Sequence, residues 1–87
     1  MTFRIDQISD GPPKVFRLSG RIRSTDVEAL RTAMGDQPPG TVLDLRDVTL
    51  VDGDVVRFLT SCEDNGMRLL HGSPYVRDWI RRERKKR

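Results

Sequence analysis

The feature that most constrains this chain is a β-rich run that gives way, at an aspartate, to a helix with a wide apolar stripe. Thr41-Val42-Leu43-Asp44-Leu45 is dense in β-branched and aliphatic residues, and Asp47-Val48-Thr49-Leu50-Val51 continues it as an extended link. Asp52 then opens a helix whose apolar positions are Val55, Val56, Phe58, Leu59 and Cys62. These positions spread over more than a narrow coiled-coil seam, so the helix needs a sheet to lie on. Asn65-Gly66 ends it.

The rest of the chain supplies that sheet. Phe3 to Ile8 alternates apolar and polar residues, as a half-buried edge strand does. The loop Asp10-Gly11-Pro12-Pro13 follows, and Lys14 to Ile22 alternates again, which predicts an antiparallel hairpin. Ser24 or Thr25 can cap a first helix, with Glu28 three residues after Thr25 as in a capping box. Val27, Leu30, Ala33 and Met34 form its apolar stripe, and Gly35 stops it. Met67 to His71 reads as a last short strand. Ser73-Pro74 starts a third helix, with proline in the first turn, where its missing N–H costs little. Val76, Trp79 and Ile80 are expected to face the sheet, or alternatively to form an exposed stripe for a dimer or docking face. The predicted order is β-β-α-β-α-β-α: a small α/β domain with a four-stranded mixed sheet, its helices mainly on one face.

At 87 residues this is one domain, expected over residues 1–80, with a basic C-terminal extension over 81–87. The charge is uneven. The last seven residues carry six basic groups and one acid, so the net charge of +3 belongs to the tail and the body is mildly acidic. The single cysteine, Cys62, excludes an internal disulfide framework. No apolar run approaches the roughly 18 residues of a membrane span, and the N-terminal residues have no apolar signal segment, so the expected location is the cytoplasm.

The stretch from Thr41 to Asp52, followed by an apolar helix, resembles the STAS domain, a family that includes bacterial anti-sigma-factor antagonists and the cytosolic ends of sulfate transporters. The family pattern is an apolar strand, a link, then Asp-Ser-Ser/Thr-Gly opening a helix. Phe16-Arg17-Leu18-Ser19-Gly20-Arg21-Ile22 resembles the family's second strand, and the likeness covers about residues 3 to 72. In phosphoregulated members, the serine after the aspartate is phosphorylated by a partner kinase that is also the anti-sigma factor. Here that position is Gly53, the next is Asp54, and the family glycine is replaced by Val55. The resemblance therefore implies a STAS-like partner surface without its phospho-acceptor hydroxyl.

The chemistry in the chain is modest. Asp52 and Asp54 read as a helix cap and a first-turn acid, or additionally as the centre of a partner surface in which Asp54 acts as a constitutive negative charge. Asp44, Asp47, Asp52 and Asp54 are better read as solvated acids than as a magnesium site. Cys62 lies on the apolar face of its helix and His71, the only histidine, at a strand end, so no nucleophile pair is expected. There is no Walker loop, no Gly-x-Gly-x-x-Gly and no paired-cysteine metal spacing.

The expected function is a non-catalytic, cofactor-free protein–protein interaction module in bacterial regulation, similar to an anti-sigma-factor antagonist. Its partner would be an anti-sigma factor, a kinase-like or another regulatory protein. The expected contact residues are Val51, Asp52, Gly53, Asp54, Val55, Arg57 and Thr60. Two readings stand beside it. The tail residues Arg81, Arg82, Arg84, Lys85, Lys86 and Arg87 can bind nucleic acid or an anionic surface weakly, by phosphate neutralisation. Alternatively, the domain is a structural adaptor or homodimer that assembles through an open sheet face.

Overall fold

Alternation in the first 22 residues produces a hairpin whose two faces differ in chemistry. The computed structural model describes residues 3–86. Strands β1 (Phe3–Ser9) and β2 (Val15–Ile22) are antiparallel, with Phe3 opposite Gly20, Ile5 opposite Leu18 and Gln7 opposite Phe16 on one face. The other face pairs Arg4 with Ser19 and Asp6 with Arg17. Because the side-chain period of a strand is two, the apolar set is committed to one side of the sheet.

A short 3₁₀ turn (Ser24–Asp26) leads into α1 (Val27–Met34). Strand β3 (Val42–Val51), helix α2 (Gly53–Asp64), strand β4 (Arg68–Leu70) and helix α3 (Pro74–Lys85) complete the chain. The sheet order is β1-β2-β3-β4, and β3 runs parallel to both β2 and β4. This is the α/β domain with a four-stranded mixed sheet that the periodicity predicts.

One core forms between the sheet and the helices. Phe16, Leu18, Ile22, Leu43 and Leu45 from the sheet join Leu30, Met34, Val55, Val56, Leu59, Val76 and Ile80 from the helices. Leu18, Leu30, Leu43, Val55, Val56 and Leu59 are fully buried. Burying one such side chain contributes about 1.5–3 kcal/mol, so α2 is the best-anchored helix. Gly66, just past α2, has φ of +95°, and a Cβ there would come within 2.8 Å of Pro39. Glycine is required at that turn because both the backbone angle and the loop packing exclude a side chain.

The structure revises several local expectations. The link from Asp47 to Val51 is strand throughout, because β3 continues to pair with β2 as far as Val51, opposite Ile22. The first helix is not capped by Ser24 or Thr25. Instead the Asp26 carboxylate accepts the Arg23 backbone N–H at 2.9 Å, closing a tighter 3₁₀ turn. Ala33 is exposed, so the stripe of α1 is narrower than its sequence suggests. The sheet also carries ion pairs: Arg17 reaches Asp44 at 3.4 Å, Arg46 reaches the same carboxylate at 3.3 Å, and Arg4 reaches Asp6 at 3.3 Å. No helix is long and apolar enough to cross a membrane among the described residues.

Candidate partner-binding site

The parallel strands β2 and β3 finish together, at Ile22 and Val51, and each feeds a helix start. Two sets of free backbone N–H groups therefore point at one place. Asp52 serves both. Its Oδ1 accepts the N–H of Val55 at 3.3 Å, capping α2, and its Oδ2 accepts the N–H of Ser24 at 2.6 Å, tying down the start of the 3₁₀ turn. Burial pushes this carboxyl up, but the N–H donors from Ser24 and Val55 outweigh it and hold Asp52 below the usual carboxylate range. It is ionised at neutral pH and fully committed to the fold.

The residues beyond the clamp point outward. Asp54 and Arg57 are both more than half exposed and form an i,i+3 ion pair on the first turns of α2. Arg57 also reaches Glu83 of α3 at 3.7 Å. Gly53 does not need to be glycine for its backbone: its φ is not positive, and a Cβ would meet Arg57 at 3.6 Å and Trp79 at 3.9 Å, ordinary contact distances. Trp79 is half-buried and packs edge-to-face with Tyr75, their centroids 5.7 Å apart. The Tyr75 hydroxyl donates to the Val51 carbonyl at 3.4 Å, so α3 is tied to the same end of β3.

Of the residues that the sequence nominates for contact, Asp52, Gly53, Asp54 and Arg57 lie together at this end of the sheet. Val51, Val55 and Thr60 do not belong to the surface. Val51 is 4% exposed, Val55 and Thr60 are fully buried, and the Thr60 hydroxyl donates to the Val56 carbonyl at 2.8 Å. Val55 and Thr60 are buried on the inner side of α2, and Val51 is buried at the end of β3. The sequence reading singles out Trp79 but not Tyr75 or Glu83. A signal for the aromatic pair is present, since residues 75 and 79 are one helical turn apart; Trp79 packs against the core beside Val76 and Ile80, as expected, and leaves part of its ring exposed.

The basic extension is helical as far as Lys85, because α3 runs on into it. Arg84 forks between Glu63 and Asp64 at the end of α2, with the Asp64 contact at 2.7 Å. Arg82 reaches Asp78 at 3.3 Å, and Arg81 lies 4.0 Å from it. Lys85 and Lys86 have no ion-pair partner among the described residues, and Arg87 lies outside them.

The remaining chemistry is dispersed. Cys62 is buried on the inner side of α2 in contact with the core, and burial pushes its thiol up to about 11. His71 is exposed with φ of 60°. Burial pushes Asp44 up, but the Arg46 N–H and the charges of Arg46, His71 and Arg17 outweigh it and lower the carboxyl. Among the described residues no group of three or more His, Cys, Asp or Glu side chains is placed to hold a metal ion. Comparison of the chain with protein-family models, with curated proteins and with solved structures gives no match.

Proposed function

We propose that this chain is a non-catalytic protein-interaction module of bacterial regulation, STAS-like in its sequence pattern, that binds a regulatory protein partner in the cytoplasm through the surface around Asp52, Gly53 and Asp54. The observation that carries this reading is the division of labour at the start of α2. Asp52 is consumed in fixing two helix starts, while Asp54 and Arg57 are presented outward on a rigid element. The site lies at the carboxyl ends of β2 and β3, where α/β sheets bring their loops and helix starts together. A fixed, charged, shallow surface suits recognition of another protein better than conversion of a small substrate. With glycine at 53, the surface carries a permanent carboxylate at Asp54 instead of a switchable hydroxyl.

The tail reading is weaker. Arg81, Arg82 and Arg84 already face Asp78, Glu63 and Asp64, so the local surplus of positive charge is smaller than the tail's composition suggests. Affinity capture from the native host with the wild-type chain, followed by measurement of the purified pair, tests the proposal. Asp54→Ala and Arg57→Glu should each weaken binding at least tenfold with little change in melting temperature. Unchanged affinity in both variants would overturn the assignment of this surface.

A further inference from the structure

The outer flank of α3 carries the only tyrosine and the only tryptophan of the chain, side by side and beside the proposed surface. Tyr75, Trp79, Arg82, Glu83 and Lys86 line a cleft of about 360 Å³. Tyr75 is 45% exposed although its ring is large and apolar. Trp79 reaches the neighbourhood of Gly53 at one end, and Arg82 and Lys86 stand at the other. We propose that this cleft is a docking site for an acidic segment of a protein partner, with an apolar side chain of that segment seated against Tyr75 and Trp79 and its carboxylates on Arg82 and Lys86. The proposal rests on the reading of the domain as a protein-binding module and names the chemistry of what it binds.

Three observations select this occupant. Tyrosine, tryptophan and arginine are the residue types that dominate binding energy at protein interfaces, because they bury large area with few rotatable bonds or make directional charged contacts. The polar rim has one sign in excess. Glu83 is mostly covered, with 14% of its side chain exposed and Arg57 against it, and Arg82, though 62% exposed, is shared with Asp78 at 3.3 Å, so the uncompensated charge at the rim is that of Lys86. Lys86 is exposed and has no ion-pair partner among the described residues. An acidic segment is therefore attracted and a basic one repelled. Single-stranded nucleic acid fits less well. The two rings meet at 61°, so they do not offer parallel faces to successive bases.

Selection of peptides from a random displayed library on the full chain tests this, and Trp79, as the only tryptophan, reports occupancy by its fluorescence. The expected outcome is a set of peptides with acidic residues around a leucine or phenylalanine. They should change Trp79 emission saturably and bind the double variant Arg82→Glu, Lys86→Glu at least tenfold more weakly. Tyr75→Ala should weaken them similarly, and thermal melting of each variant verifies that it is folded. Selected peptides that bind the double variant undiminished overturn the cleft but leave the module reading intact. Failure to select any peptide counts against both. Saturable quenching of Trp79 by a short oligothymidylate, without response to acidic peptides, overturns the proposal in favour of nucleic acid.

Discussion

Ser24 donates its backbone N–H to Oδ2 of Asp52 at 2.6 Å across a separation of 28 residues, while the other oxygen of that carboxylate caps α2 through Val55. One side chain thus joins the ends of two neighbouring strands to the starts of two helical segments. A helix cap is worth about 1 kcal/mol and a hydrogen bond to a charged group about 1.5–3 kcal/mol. Asp52→Ala should therefore destabilise the domain by about 2–3 kcal/mol. Asp52→Asn, which keeps an acceptor for α2, should cost less. Urea unfolding at constant m-value measures both, and a loss under about 0.5 kcal/mol for Asp52→Ala would show that the clamp contributes little.

The same clamp sets the acid limit of the fold. Asp52 and Asp44 both have folded carboxyls held below the ordinary range. A carboxyl with a depressed folded pKa contributes stability that is complete above its unfolded value, about 3.9, and lost as pH falls through its folded value. Melting temperature should then be insensitive to these two groups above about pH 5 and fall steeply below about pH 4. Asp52→Asn should flatten the acid limb, because the substituted side chain has no proton to gain. An acid limb of wild-type steepness in Asp52→Asn would remove Asp52 from the account.

The fold is legible in the sequence to the extent that period and punctuation decide it. Alternation at Phe3 to Ile8 and at Lys14 to Ile22, and the stripe from Val55 to Cys62, are local patterns with one structural solution each. Ser73 caps α3 as its position beside Pro74 implies, accepting the Val76 N–H at 3.3 Å. The site was half legible. Asp52, Gly53 and Asp54 follow from the helix start, but the burial of Val55 and Thr60 depends on which face α2 presents to the sheet. A threonine on a helix reads as polar, yet the Thr60 hydroxyl is satisfied by the carbonyl one turn back and the side chain is buried. The meeting of Trp79 with the Gly53 turn is not legible, since it arises only once α2, β4 and α3 have packed. The ion pairs of the tail are hidden from sequence for a related reason: Arg84 finds Glu63 and Asp64, its partners some 20 residues earlier in the chain, only in the folded domain.

Gly53 offers a separation of structure from function. No positive φ requires glycine there, and an added Cβ finds ordinary contact distances to Arg57 and Trp79. Glycine in a helix costs about 0.5–1 kcal/mol relative to alanine. Gly53→Ala should therefore leave stability unchanged or raise it by up to about 0.5 kcal/mol. If the bare backbone at this position serves partner contact, the same substitution should weaken partner binding. Destabilisation by more than about 1 kcal/mol would instead mean that the turn has a structural need for glycine.

Cys62 tests whether the inner side of α2 is as closed as the core packing implies. Its thiol is buried and pushed up to about 11 by loss of solvent, with Arg31 opposing the shift. The thiolate is the reactive form, so an aromatic disulfide reagent at neutral pH should leave Cys62 unmodified in the folded domain and titrate it at once in urea. Linkage gives a second, independent reading. Above about pH 8.5 the unfolded chain loses the thiol proton while the native chain keeps it, so the native state binds more protons and stability falls as pH rises toward 11. Cys62→Ala should remove that alkaline component of the decline while costing some stability at neutral pH through the lost packing against the core. Rapid modification of the folded wild type at neutral pH, or an alkaline profile identical in Cys62→Ala, would place the thiol at an accessible surface and contradict the packing of α2 described above.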